Sequence, residues 1–488
     1  MKDRMEAEVP SFAVVGRVNM GKSAVIATLL EIDDNELVRV SATPGETTRC
    51  QVHPVVFDGR ECIRFIDTPG FSQPVEAMRA IQELHGAGTP GLDTLRRFVE
   101  GRGEAFGDEK RLLGPLLDGA GVLYVVDPSR PLRDDFLAEM EILRWTGRPR
   151  LALLNRRGGA TGPDEERWRE KLGGAFNLTR TFDAHRARFE ERLRLLKSLL
   201  EIEEEHRDLL ERTIELVQRE WGQRRELAAE ALVDLLRDAL GLRVSLTLEE
   251  VDLRVEARRR RAEELLEKQY FESLAGHEGR CFSKWLEIYR HHLLKADGDA
   301  AAFSGIDLES AETWSKWGLD RGQLTLAAGI AGGAAGLAVD AATGGLSHGA
   351  GAVLGALGTA AAAWFKGGKL PDLRMDLGGK LTAGTGDRRQ LRMGPPRNPN
   401  FPWVLLDGAL SRYAQVLRRA HGRRDEARLK GDGTGFARHF PSDRRAVLAE
   451  WFGACLKGRA NPAAEAAAYE ALLEALEEIA EERGGTDG

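Results

Sequence analysis

The chain has 488 residues, 42% of them apolar and 30% charged, with a formal charge of −7 at pH 7. That length exceeds what one hydrophobic core organises, so two or three domains are expected. The acidic balance argues against a general grip on nucleic acid: no DNA partner is expected, and RNA is disfavoured. The four cysteines, Cys50, Cys62, Cys281 and Cys455, form no CxxC pair and no metal-spaced His/Cys cluster. With a short charged N-terminus and no signal peptide, this predicts a reducing, cytoplasmic setting.

Taken in chain order, residues 11–185 alternate between strand and helix patterns. Ser11–Val15 is a short apolar run, and Gly21–Leu30 reads as a helix after a tight turn. Gln51–Phe57 and Glu61–Ile66 flank Asp58-Gly59, a hairpin signal. Val122–Val126 and Arg150–Leu154 read as buried strands, with a helix around Asp134–Trp145 between them. The fold class predicted is an α/β domain, a mostly parallel sheet with helices on both faces. Residues 72–118 are longer than a simple crossover needs and predict an inserted helical element.

From about Phe189 the pattern changes. Leu193, Leu196, Leu200, Leu210, Ile214, Val217 and Trp221 recur at helical steps amid Glu and Arg, which predicts long amphipathic helices. Leu246–Leu294 reads as a second long helix or pair, broken near Gly276 and Gly279. A Gly/Ala-rich apolar stretch follows, then a polar stretch rich in glycine and proline, then two or three closing helices. The last of these starts at Asn461-Pro462, a capping residue followed by proline at the first helical position. The boundaries expected are 8–185 for the α/β domain, 186–320 for a long helical region, 321–370 for an apolar hairpin and 371–488 for a C-terminal helical region.

The chemistry is concentrated near the N-terminus. Gly16-Arg17-Val18-Asn19-Met20-Gly21-Lys22-Ser23 reads G-x-x-x-x-G-K-[ST], a phosphate loop between a strand and a helix. Its glycines let backbone N–H groups turn inward around phosphates, Lys22 can neutralise them, and the Ser23 hydroxyl can ligate Mg²⁺. Asp67-Thr68-Pro69-Gly70 follows a strand, where Asp67 can hold Mg²⁺ through water and Gly70 can offer its N–H to a γ-phosphate. Two independent signals thereby agree on one site.

Between them lies Thr43-Pro44-Gly45-Glu46-Thr47-Thr48-Arg49. The set GxxNxGKS, PGxTTR and DTPG resembles the Era, EngA and TrmE branch of translation-factor-class P-loop GTPases. The resemblance implies GTP hydrolysed to GDP, with Lys22, Thr48 and Gly70 as the catalytic set. It implies nucleotide contacts from Gly16, Asn19, Met20, Gly21, Lys22, Ser23, Ala24, Asp67, Gly70 and Asn155. Mg²⁺ would be held by Ser23, Thr48 and Asp67, with Thr47 the neighbouring choice for Thr48. Asn19 matches the asparagine that binds K⁺ in cation-dependent members; a loop asparagine serving its own backbone is the alternative. Phe71 stands where a glutamine would orient the attacking water, so slow turnover is expected. The guanine-reading motif departs from pattern: Asn155-Arg156-Arg157-Gly158 keeps the asparagine but lacks the aspartate, with Asp164 a distant substitute and Thr181–His185 the last base-contacting loop. The same motifs, together with the Gly/Ala-rich segment, resemble bacterial GTPases bearing a C-terminal domain of unknown function.

That segment contains two apolar runs, 324–339 and 346–365, around Asp340 and a Thr343-Gly344-Gly345 turn. Gly329/Gly333, Gly332/Gly336 and Gly351/Gly355 lie four apart, the spacing of close helix pairs in membranes, with Trp364, Lys366 and Lys369 as an interfacial anchor. A hairpin at the inner membrane and a buried Ala/Gly hairpin are equal readings, because alanine is only weakly apolar and the first run is short for a span of about 20 residues. The whole predicts a cytoplasmic nucleotide-controlled switch acting on its helical region, peripheral to or conditionally inserted in the inner membrane. A G-domain homodimer is the oligomer the resemblance implies. A weakly active nucleotide-binding scaffold and a ribosome- or RNA-associated assembly GTPase are the alternatives.

Overall fold

The computed structural model describes residues 9–31, 50–57, 59–101, 105–156, 164–184, 187–249, 254–291, 294–295, 388–395, 401–418, 427–428, 435–459 and 461–481. The expectations for Thr47, Thr48, Gly158, His185 and the segment 324–365 lie outside these residues. The chain divides into two compact units, 1–222 with 418–425 and 223–417 with 426–488.

The first unit is built on a six-stranded sheet in the order β2-β3-β1-β4-β5-β6. Its strands are β1 (Ser11–Val15), β2 (Gln51–Phe57), β3 (Arg60–Asp67), β4 (Gly121–Val126), β5 (Arg150–Asn155) and β6 (Leu178–Phe182). Only β2 runs antiparallel, through the hairpin with β3; every other pairing is parallel. All six residues of β4 are buried, so this central strand is covered on both faces and its sequence is continuously apolar rather than alternating. Helix α1 (Lys22–Leu30) follows β1 and buries Ala24 through Leu29.

The long crossover between β3 and β4 carries three helices: α2 (Pro74–His85), α3 (Leu92–Glu100) and α4 (Gly107–Leu117). Helix α5 (Asp134–Trp145) leads to β5, and α6 (Glu165–Ala175) to β6. Two further helices, α7 (Phe189–Ile202) and α8 (Arg207–Gly241), come next, and the division between the units falls within α8. Leu195, Leu196, Leu199, Leu210, Ile214 and Val217 belong to the same core as the sheet, and Phe189 stacks on Trp221 with centroids 4.2 Å apart. Each such aliphatic side chain contributes about 2 kcal/mol on burial, which is why the amphipathic text after the last strand folds back onto the sheet.

The second unit corrects two readings. Val244–Glu249 is a strand, β7, paired antiparallel with β8 (Arg388–Met393), so the helix expected from Leu246 starts later. The Val-Ser-Leu-Thr-Leu alternation has period two, and the pairing joins Leu246 to Leu391. Helix α9 (Glu256–Ile288) then runs through Gly276 and Gly279 without a break. Each glycine costs about 1 kcal/mol; burial of Leu274, Cys281, Phe282 and Trp285 on the same helix outweighs it.

Helix α10 (Phe401–Arg418) is buried along most of its length. Its Arg412 pairs with Glu278 of α9 at 3.2 Å with both side chains inaccessible, and Tyr413 and Tyr289 share a hydroxyl hydrogen bond of 2.7 Å. Helices α11 (Ser442–Leu456) and α12 (Pro462–Glu481) close the unit. The Asn461 side chain accepts from Ala464 N–H at 2.8 Å, the cap expected from the sequence. Among the described residues, no helix is long and apolar enough to cross a membrane.

Candidate nucleotide-binding site

The phosphate loop leaves β1 at the carboxyl edge of the sheet, where open α/β sheets bind ligands. Two glycines make its path sterically feasible. Gly16 has φ +150°, and a Cβ there would fall 2.3 Å from Val125 O on β4. Gly21 has φ +93°, and a Cβ there would fall 2.2 Å from Asn155 Nδ2. Asn19 adopts φ 63°, a left-handed conformation that asparagine tolerates better than most residues. Met20 of the loop and Ala24 of α1 are buried, and Ser23 lies in the first turn of α1.

Lys22 folds back over the loop: its Nζ donates to Gly16 O at 2.8 Å and to Arg17 O at 3.3 Å. Burial lowers its pKa, and the fields of Asp67 and then Glu139 oppose that shift. Asp67 ends β3 in a buried position, and Thr68 Oγ1 donates to Val14 O at 2.9 Å, which binds the DTPG turn to β1. Gly70 packs against Gly16, Arg17 and Val18. The structure therefore brings Gly16, Lys22 and Gly70 together.

Asn155 is wholly buried at the end of β5 and joins two loops. Its Nδ2 donates to Met20 O at 3.0 Å, and its Oδ1 accepts from Ala184 N–H at 3.1 Å. It thus ties the phosphate loop to the turn after β6. Alanine there would strand a buried carbonyl and a buried amide, so Asn155→Ala is expected to cost about 2 kcal/mol. A urea titration followed by tryptophan fluorescence measures it, and an unchanged midpoint would contradict the bridging role.

Beyond Asn155, Arg156 grips Glu165 with Nε to Oε2 at 3.1 Å and Nη2 to Oε1 at 2.6 Å. Arg169 reaches the same carboxylate at 2.9 Å, and the Arg156 guanidinium holds the Glu165 pKa below its ordinary value. Asp164, the distant substitute for the missing aspartate, faces Arg167 at 3.4 Å.

Three polar contacts around the site were invisible in the motifs. Glu109 of α4, 1% exposed, accepts from Ser72 N–H at 2.8 Å and Gln73 N–H at 2.6 Å, so the inserted helices anchor the segment after Gly70. Arg192 of α7 pairs with Glu31, the C-cap of α1, at 2.6 Å, and its Nε donates to Leu29 O. Arg17 of the loop pairs with Asp135 of α5 at 2.8 Å and approaches the buried Glu139 at 3.4 Å. Glu139 had a legible signal: with Phe136, Met140 and Leu143 it follows the i, i+3, i+4, i+7 stripe and therefore lies on the buried face. Arg17, Val18, Phe71, Arg130, Arg133 and Phe136 are among the residues lining an open cleft of about 670 Å³ beside the loop.

A phosphate loop entering a buried helix, a DTPG turn bonded to β1, and a 2-3-1-4-5-6 sheet with one antiparallel edge define a P-loop GTPase domain. Residues 11–156 match the family described as 50S ribosome-binding GTPase. Residues 169–478, more than half of the chain, match the family described as Domain of unknown function (DUF3482), and the chain belongs to it.

The chain is similar to the Probable GTP-binding protein EngB of Desulfatibacillum aliphaticivorans, 39% identical over 64 residues, covering 13% of this chain and 28% of that protein. It is also similar to the EngB proteins of Streptococcus uberis, 39% identical over 66 residues (14% and 30%), and Listeria welshimeri, 32% over 66 (14% and 31%). The matches span less than a third of these relatives. A crystal structure of the bacterial selenocysteine-specific elongation factor EF-Sec aligns at 17% identity and TM-score 0.25, over 40% of this chain and 29% of that one.

Proposed function

We propose that the first unit binds guanine nucleotides and hydrolyses GTP to GDP and phosphate. The observation that carries this reading is the convergence of Lys22, the loop glycines and Gly70 at the carboxyl edge of the sheet, with Asn155 bracing the loop. The names of the EngB relatives support the choice of guanine.

Lys22 and the loop amides would hold the phosphates, with Met20 and Ala24 packing beneath them. Arrival of phosphate would draw the Lys22 ammonium from the carbonyls of Gly16 and Arg17. Gly70 would donate its N–H to the γ-phosphate, so that hydrolysis releases the segment after it. The Ser23 hydroxyl and the Asp67 carboxylate are hard oxygen ligands that fit Mg²⁺, and the Thr48 hydroxyl would add a third. Mg²⁺ there supplies charge neutralisation on the phosphate oxygens. Asn19 would assist with K⁺. Phe71 is buried and carries no group that can orient water, so intrinsic turnover would be slow.

The helical region would be the responding element. Membrane attachment through 324–365, a G-domain homodimer and membership of the Era-like branch belong to this reading too. A second reading, a nucleotide-binding scaffold with weak base selection, is favoured by Gly158 in place of aspartate and by Arg156 being engaged with Glu165. An assembly role on the ribosome is the third, supported by the description of the matching family.

Phosphate release by the full chain with GTP or ATP, in KCl and in NaCl, tests these readings. GTP-selective turnover that is faster in K⁺ and absent in Lys22→Ala is the expected result. Equal use of ATP, or no turnover above the variant, would favour the scaffold.

A further inference from the structure

Glu139 lies in the middle of α5 beside the phosphate loop, and the holding of a nucleotide makes no direct use of it. Its side chain is wholly inaccessible. Its Oε2 accepts from the Tyr124 hydroxyl of β4 at 2.7 Å, and its Oε1 lies 3.4 Å from Nε of Arg17, a residue of the loop itself. Nη1 of the same guanidinium donates to Asp135 Oδ2 at 2.8 Å, and its carbon sits 5.4 Å from the centre of the Phe136 ring. The loop is therefore moored to α5 by two carboxyls, one partly exposed and one buried.

We propose that Glu139 is a positioning residue of the phosphate loop that couples nucleotide binding to proton uptake at its own carboxyl. The inference rests on the nucleotide-binding reading above and deepens it.

The groups facing Glu139 act in both directions. Tyr124 on β4, Arg17 on the loop and Lys22 on α1 favour its anion, Asp135 on its own helix opposes it, and burial outweighs them all. The carboxyl pKa is pushed up to about 8 from the ordinary 4.5. Lys22 is the shared element: it helps stabilise the Glu139 anion, and it is the group that phosphate would recruit. Phosphates in the loop would thus remove a favourable partner and add a like charge in a region of low dielectric.

The carboxyl would then hold its proton to a higher pH when nucleotide is bound than when it is absent. Between the two pKa values binding takes up a proton. Affinity is accordingly full below pH 8, falls as pH rises through the lower value, and levels off above the higher one. The decline expected is on the order of 15-fold, the scale of one charge–charge interaction across roughly 10 Å at an effective dielectric near 20.

Calorimetric titration of the full chain with GDP between pH 7 and 9, in two buffers of different ionisation enthalpy, reads both affinity and protons exchanged. The wild type is expected to take up a fraction of a proton above pH 8 and to weaken as described. Glu139→Gln, which keeps a partner for Tyr124, should bind GDP without that part of the pH slope. Tyr124→Phe keeps the stack on Phe176 (centroids 5.2 Å apart) but removes the hydrogen bond that favours the anion, so its midpoint should move upward. The nucleotide's own titration is common to all three proteins and cancels in the comparison. Equal slopes in wild type and Glu139→Gln, or an unmoved midpoint in Tyr124→Phe, would overturn this inference alone. Absence of GDP binding at every pH would overturn the nucleotide reading, and this inference with it.

Discussion

Replacing Lys22 with alanine is expected to weaken GDP and GTP binding by about 100-fold or more, the scale of losing charge-assisted bonds to phosphate, with little loss of thermal stability. The two halves of that expectation have different causes. Binding suffers because the Lys22 ammonium already sits over the loop, bonded to Gly16 O and Arg17 O, and has only to transfer those bonds to phosphate oxygens. Stability is spared because the ammonium is held in a buried place that disfavours its charge, as its lowered pKa records. Removing it therefore relieves desolvation while it sacrifices two hydrogen bonds. Isothermal titration with GDP and a thermal scan of the nucleotide-free protein measure the two effects separately. A large fall in melting temperature with affinity preserved would show that Lys22 pins the loop and does not hold phosphate.

Arg192→Ala is expected to cost about 3–5 kcal/mol, because it leaves a buried carboxylate without its cation. The Arg192–Glu31 pair is 2.6 Å long, with side-chain exposures of 6% and 5%, so the Glu31 carboxylate has little access to bulk water. The same change removes the donor to Leu29 O, one of the last carbonyls of α1. Glu31→Met combined with Arg192→Met should recover most of the loss, since two well-packed apolar side chains need no compensating charge. Urea titrations of the single and double variants form the test. If Arg192→Ala unfolds at the wild-type midpoint, the pair contributes nothing and the other contacts of α7 hold it.

The local parts of this molecule were legible without coordinates. The phosphate loop, the DTPG turn and the 51–67 hairpin depend on glycines, a lysine and a turn at fixed short spacings, so their geometry is written within a few residues. The bounds of α5 and the Asn461 cap of α12 followed from helical period and capping chemistry in the same way. Asn155 could be named from its place after a strand. That it bridges Met20 O and Ala184 N–H required the fold, because those groups lie 135 and 29 residues away along the chain.

What only the tertiary structure decided has one physical character: it depends on which distant groups share a low-dielectric space. Val244–Glu249 carries a local period-two alternation, but its partner Arg388–Met393 is remote along the chain, and which distant segment a strand bonds to leaves little trace in either sequence. Helix α9 passes Gly276 and Gly279 because tertiary burial outweighs a local propensity. Glu31 with Arg192 and Glu109 with Ser72 and Gln73 look like ordinary surface carboxyls in the text, and the stripe that puts Glu139 on a buried face does not name Tyr124 or Arg17 as its partners. Their energetic weight arises only once folding has taken them out of water, where a charge must find a partner or keep its proton. The sequence by itself determined that a phosphate loop would form; the packing around it decided which buried acids hold that loop in place.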